Sequence, residues 1–247
     1  MKFILIILFS MFAGNFVSGI GLKVISLKVN YKSNDTLQTW KYRKDEVINL
    51  IQEHSPDIFC VQQVLIDHIN DIAWQIPGFD WVGAGRYDGV SRGEYAPIFY
   101  NSKKFQLKQY GTFWLSETPD FPCSAGICTY ACFEDYETRE NFHVFNTHFT
   151  DLIISEESAV RLVIETISKL SKDLPVLLTG DFTSSEKDFT IRFLKRRLNC
   201  VNDEEIPGKN FNHIFVNKYL KINNFKIIDT PSSVYPEIHW PVYVETQ

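Results

Sequence analysis

Short apolar runs that break off into polar residues constrain the fold of this chain more than any other feature. Leu178-Thr179-Gly180-Asp181-Phe182-Thr183 follows one such run and Asn146-Thr147-His148-Phe149 another, while Ile238-His239-Trp240-Pro241-Val242 sits near the C-terminus. Each reads as a strand end carrying polar groups, the place where sheet-based enzymes assemble their sites. Around these ends, strand-like and helix-like segments alternate. Residues 22–27, 58–61, 79–82, 97–100, 106–114, 129–133, 142–146 and 175–178 are apolar and rich in β-branched or aromatic side chains. Three more strands are expected towards the C-terminus. Residues 40–54 carry Trp40, Val47, Leu50 and Ile51 on one helical side, and Pro56-Asp57 stops that helix. A second helix over 64–76 ends at Pro77-Gly78, a third opens at Ser155 with Glu156 and Glu157 in its first turn, and a fourth covers 186–198. Strands outnumber helices, and the helices fall between strands. That order predicts two packed mixed β-sheets with helices on their outer faces. With 247 residues and no repeat, low-complexity tract or linker, the chain reads as one domain.

The N-terminus carries its own signal. Lys2, an apolar stretch over 3–12 and then Val17-Ser18-Gly19 describe a secretory signal peptide. Cleavage after Gly19 leaves a domain over 20–247 that is secreted or lumenal. The apolar stretch is too short to span a bilayer, and no later segment qualifies. Asn34-Asp35-Thr36 is then a usable glycosylation sequon. Five cysteines leave at least one unpaired. Cys60 lies in an apolar run and reads as a buried thiol. Cys123, Cys128 and Cys132 cluster closely enough for one local disulfide, with the pair left open, and Cys200 stands apart. No spacing matches a zinc site. The net charge of −5 disfavours passive attraction to nucleic acid. Arg192, Lys195, Arg196 and Arg197 read as a solvated helix face rather than a phosphate-binding patch, and the chain reads as a monomer.

Taken in order, these segments resemble the endonuclease/exonuclease/phosphatase superfamily, whose fold is the DNase I-like four-layer α/β sandwich. The resemblance covers nearly the whole chain after the signal. Gly83-Ala84-Gly85-Arg86-Tyr87-Asp88-Gly89, Gly93-Glu94-Tyr95-Ala96-Pro97-Ile98-Phe99-Tyr100 and Phe113-Trp114-Leu115-Ser116-Glu117-Thr118-Pro119 carry it, beside the strand ends. In active relatives a Mg²⁺ held by carboxylates polarises a phosphate ester while Asp and His groups activate water. The resemblance implies that Asp181 matches the aspartate of a Gly-Asp-Phe-Asn motif, His148 the histidine of an Asn-Thr-His motif and His239 that of an Asp-His-x-Pro-Val motif. These three are the candidate catalytic residues. Arg86, Glu94 and Asn146 are candidate ligand-binding residues.

The departures from the family pattern carry as much information. Gln63 stands at the family's metal-binding glutamate, and Lys28 falls where the first strand ordinarily ends in Ser-x-Asn. Thr183, Asn212, Ile238 and Thr150 replace an asparagine and three aspartates. Gln63, Asn212 and Ile238 each remove negative charge that a strongly hydrated Mg²⁺ requires. Lys28 brings a cation to the vacated place. At an effective dielectric of about 20 and a separation of about 4 Å, an ammonium and a carboxylate attract by roughly 4 kcal/mol before desolvation. Lys28 is therefore expected to pair with Asp181 and to stand in for the metal.

Each candidate has a plainer reading. Asp181 would serve equally to hold a strand-end turn, and His148 and His239 could be buried partners without catalytic duty. Arg86 could contact an anion or brace its loop through Asp88. Phe113, Trp114, Phe149 and Trp240 read as core or cleft wall. The expectation is a secreted pseudoenzyme that needs no cofactor and acts by binding a phosphorylated small molecule or a protein partner. The competing reading is a divergent Mg²⁺-dependent phosphodiesterase or phosphatase using Asp181, His148 and His239. Nucleic acid is the least favoured partner.

Overall fold

The computed structural model describes residues 19–29, 40–182, 189–201, 212–228 and 240–247. Among them are twelve strands and four helices. The first sheet runs β11(Ile222–Ile227), β12(Val242–Thr246), β1(Lys23–Lys28), β2(Ile58–Gln62), β4(Ile98–Asn101), β3(Phe79–Val82). The second runs β5(Phe105–Trp114), β6(Ile127–Asp135), β7(Asn141–His148), β8(Val176–Asp181), β10(Asn212–Val216), β9(Asn199–Cys200). Both sheets are mixed. β1 and β2 run parallel in one, β7 and β8 parallel in the other, and the remaining pairings are antiparallel.

Period-two alternation divides each central strand between two environments. One side of both sheets meets in the seam between them, where Val24, Ile58, Ile98, Phe133, Val144 and Leu177 share a core. The outer side of the first sheet packs Ile25, Phe59 and Val61 against α1(Trp40–His54) and α2(Ile66–Gln75). The outer side of the second packs Phe145, Leu178 and Phe215 against α3(Glu156–Ser171) and α4(Phe189–Lys195). The result is the four-layer sandwich expected from the order of elements. α3 begins where the sequence signals it, with the Ser155 side chain accepting a hydrogen bond from the Ser158 N–H.

Three expectations change. The second helix starts at Ile66 rather than at residue 64, because Val64 instead bridges to Tyr95. Four strands, not three, follow α4. Cys123, Cys128 and Cys132 are free thiols, so the local disulfide is absent. Cys128 and Cys132 point to the same face of β6, and the rise of an extended strand puts roughly 13 Å between them. A disulfide needs its Cα atoms within about 4–7 Å. Cys123 packs with Ala96, Trp114 and Ile127, while Cys128 belongs to the separate core beneath α3.

The signal segment up to residue 18 and the Asn34 sequon lie outside the described residues. Ile20, the first residue after the expected cleavage, is buried in the seam, and its carbonyl accepts from the Thr246 hydroxyl. Among the described residues no helix is long and apolar enough to cross a membrane.

Candidate functional site

The parallel pairs bring the C-terminal ends of β1, β2, β7 and β8 to one end of the seam. Lys28 lies beside Gln62 in the first sheet, and His148 beside Asp181 in the second. Asp181 also faces Asn212 on β10. The same alternation that buries Val144 and Leu177 lower in the seam aims Asn146, His148, Thr179 and Asp181 into it here. Gly180 permits the close approach of β7 and β8: a Cβ there would lie 2.2 Å from the Thr147 carbonyl oxygen.

A hydrogen-bonded polar layer separates this end from the apolar core. Asn146 donates both amide hydrogens across the seam, to the Val61 carbonyl at 2.9 Å and the Pro97 carbonyl at 2.8 Å. Its side-chain oxygen accepts from Gln62 at 2.7 Å and from the Thr179 hydroxyl at 3.2 Å. Gln62 also donates to the Ser26 hydroxyl at 3.1 Å. Asn146 is fully enclosed and braces the two sheets; its amide has no capacity left for the ligand contact expected of it. Gln62 and Thr179, which the sequence reading did not single out, belong to the same brace.

Above this layer lies a chain of charge. Lys28 reaches from the first sheet to place its ammonium 2.5 Å from Asp181 Oδ2 in the second, with the two side chains 10% and 0% exposed. His148 Nε2 lies 3.6 Å from the same oxygen, and its Nδ1 lies 3.5 Å from Glu94 Oε2. Those two spacings are electrostatic contacts, too long for hydrogen bonds. Glu94 Oε2 is 3.4 Å from Arg86 Nη1, and Arg86 Nη2 donates to Asp151 Oδ2 at 2.7 Å. Burial alone lowers the Arg86 pKa, but hydrogen bonds to Tyr87 and Asp151 and the Glu94 charge more than reverse that and hold the guanidinium cationic. Arg86 thus braces its loop to Asp151 and Glu94. The brace through Asp88 is not formed: Asp88 Oδ1 accepts from the backbone N–H groups of Val90, Ser91 and Arg92, each at 2.9 Å. Those bonds hold the Asp88 carboxyl below the usual range.

Gln63 keeps an unusual backbone. Its φ of 57° is in the left-handed region, where a non-glycine residue is strained. Its buried Oε1 has no hydrogen-bond partner among the described residues. Asn212 is also buried, and its Nδ2 donates to the Trp240 carbonyl at 3.3 Å. Phe113, Trp114 and Phe149 are buried as core or wall. His239, Ile238 and Thr183 lie outside the described residues.

These donors do not fit a Mg²⁺ ion. Magnesium demands near-octahedral oxygen ligands at about 2.0–2.1 Å and carboxylate charge to offset its dehydration. Among the described residues Asp181 is the carboxylate at this place, and an ammonium already sits against it; Asn212, paired with Asp181 across the strands, is a neutral amide, and Gln63 carries no charge. Among the described residues no group of His, Cys, Asp and Glu is arranged to hold a metal.

The fold has clear counterparts. An endonuclease/exonuclease/phosphatase from Bacteroides vulgatus superposes with a TM-score of 0.82 at 26% identity, over 92% of this chain and 99% of that one. A mannosyl-6-phosphatase of Bacteroides thetaiotaomicron gives 0.81 at 27%, with coverage of 92% and 99%. An uncharacterized protein of Acanthamoeba polyphaga mimivirus is 27% identical over 183 residues, 67% of this chain and 68% of its own length. The model of the endonuclease/exonuclease/phosphatase family matches residues 17–227. With that match laid over the sandwich and its polar seam end, the chain belongs to the endonuclease/exonuclease/phosphatase family.

Proposed function

We propose that the chain is a secreted member of its family that has lost Mg²⁺-dependent phosphoester hydrolysis and acts by binding. One observation carries this reading: the Lys28 ammonium lies 2.5 Å from Asp181 Oδ2, both side chains buried, where the family's chemistry requires a divalent cation. A buried ammonium neutralises the carboxylate but offers no open coordination position and activates no water. The enclosure of Lys28, Asp181 and His148 supports binding at the surface and a protein partner. A phosphorylated small molecule in the old cleft would have to displace the ion pair first.

The contacts of His148 favour a second reading. His148 sits between Asp181 and Glu94, an arrangement that orients an imidazole for proton transfer. With the likeness to the mannosyl-6-phosphatase, that supports a divergent metal-dependent phosphodiesterase or phosphatase using Asp181, His148 and His239.

The deciding experiment is hydrolysis of a panel of phosphomonoesters and phosphodiesters with Mg²⁺ or Mn²⁺, beside an Asp181→Ala control. The first reading predicts no turnover above the control in folded protein. Turnover abolished by Asp181→Ala establishes the second.

A further inference from the structure

Three loops at the site end of the sandwich present apolar side chains to solvent together. Val90 is 73% and Phe121 68% exposed, and Tyr87 and Ile153 are exposed beside them. Exposed apolar residues are ordinary when scattered, as Tyr42, Trp74 and Tyr110 are on other elements. These four sit on loops that touch one another. A Cβ on Gly89 would lie 2.9 Å from Pro122 Cγ, so the loop of Tyr87 and Val90 rests on the loop of Phe121. The Arg86–Asp151 contact at 2.7 Å ties the same loop to that of Ile153.

The patch is also built firmly. The Trp114 N–H donates to the Pro119 carbonyl at 2.8 Å, the Phe121 N–H to the Thr118 carbonyl at 3.1 Å and the Thr118 N–H to the Ser116 hydroxyl at 3.2 Å. The Trp114 indole donates to the Arg86 carbonyl at 2.6 Å, and the Tyr95 hydroxyl to the Val90 carbonyl at 2.7 Å. An aromatic anchor on an ordered loop loses little entropy when a partner covers it.

Charge identifies the partner. Glu117 and Asp120 precede Phe121 in its loop, both are exposed, and neither makes an ion pair among the described residues. Of the nearby cations, Arg86 is engaged with Glu94 and Asp151, and the charge of Arg92 is offset by that of Asp88, whose carboxylate accepts the Arg92 backbone N–H at 2.9 Å. Among the described residues the apolar patch therefore carries a net negative surround, which repels phosphates and anionic lipid and attracts a cationic ligand.

We infer that this face docks a protein segment bearing apolar side chains flanked by Lys or Arg, with Phe121 as the central anchor. Docking does not use the enclosed ion pair, so it stands whether or not the chain hydrolyses phosphate esters.

The test uses the mature protein with a labelled amphipathic Leu/Lys peptide and its Leu/Glu counterpart, read by fluorescence anisotropy. The Leu/Lys peptide should bind, and more weakly as salt rises. Phe121→Ala and the double variant Glu117→Lys/Asp120→Lys should each weaken it by about tenfold or more. Tyr136→Ala, which removes a comparably exposed aromatic ring from the turn between β6 and β7, should leave it unchanged. No binding, equal binding of the Leu/Glu peptide or indifference to these variants overturns the assignment. So does a dimer abolished by Phe121→Ala, which makes a second copy the occupant. Capture on anionic vesicles that depends on Phe121 makes it a lipid surface and also overturns the assignment.

Discussion

Low in the seam, Val24, Ile58, Phe133, Val144 and Leu177 fill the gap between the sheets with hydrocarbon. Further along the same strands, Lys28, Gln62, Asn146, His148, Thr179 and Asp181 face the same gap. Both halves are closed to water, yet they are held by different rules. The apolar half is stabilised in proportion to the area it buries and tolerates exchange of shape for shape. The polar half is stable only while each group keeps its partner, since an orphaned buried charge costs far more than the pair contributes. Lys28 supplies the positive charge that faces the buried Asp181 carboxylate.

The largest effects should come from single deletions at each end, measured by chemical denaturation. Phe133→Ala, which removes a ring packed against Tyr100, Phe105 and Phe142, should cost about 3–5 kcal/mol. Lys28→Met leaves Asp181 buried without its ammonium and should cost a similar amount, about 3–5 kcal/mol. The comparison sharpens in the paired variant. Lys28→Met/Asp181→Leu removes both charges together and should recover most of that loss. If the double variant is as unstable as the single one, the polar end is not governed by pairing.

Asn146→Leu strands the Val61 carbonyl in a closed seam, leaves the Pro97 carbonyl with the Val61 N–H alone, and should cost about 2 kcal/mol, with the unfolding slope unchanged. An unchanged midpoint would remove Asn146 from the brace.

A smaller effect follows from His143, which points away from the seam, its ring stacked with that of Phe145. Neither ring nitrogen has a hydrogen-bond partner among the described residues, and burial lowers its pKa. The folded protein therefore takes up this proton only below the roughly 6.5 of an unfolded imidazole. Between the two values the unfolded chain holds more protons, so stability falls as pH drops through that window. His143→Phe should flatten this part of the stability–pH curve; an unaltered slope would show that the group is not responsible.

The gentlest test is thiol labelling of native protein at neutral pH. Burial pushes the Cys60 thiol up to about 12 and raises Cys128 further, so neither should react before unfolding, whereas the half-exposed Cys123 should.

The layered architecture was legible in the sequence because it rests on local signals. Periods of two and of 3.6 separate strands from helices, and Ser155 marks a helix start. Asp181 and His148 were legible as polar groups at the ends of apolar runs, and Lys28 through the resemblance, which expects Ser-x-Asn at that place; strand alternation puts all three in the seam. Gln62 carried that signal too, two positions beyond Cys60, but its neighbour Gln63 held attention as the replaced glutamate. What it binds had no signature, because Gln62 and Asn146 are 84 positions apart and meet only when the sheets pack. Asp151, 65 positions from Arg86, was hidden in the same way, and the nearer Asp88 looked the better partner. The cysteine cluster misled because proximity in sequence is not proximity across a pleated strand.

The most direct measurement is titration of Mg²⁺ into the wild-type protein and into Lys28→Asn/Gln63→Glu by calorimetry. If Lys28 occupies the place of the metal, the wild type should give no binding heat and the double variant, with its charge restored, should bind. Wild-type binding that matches the double variant would contradict the account and return the chain to the metal-dependent hydrolases.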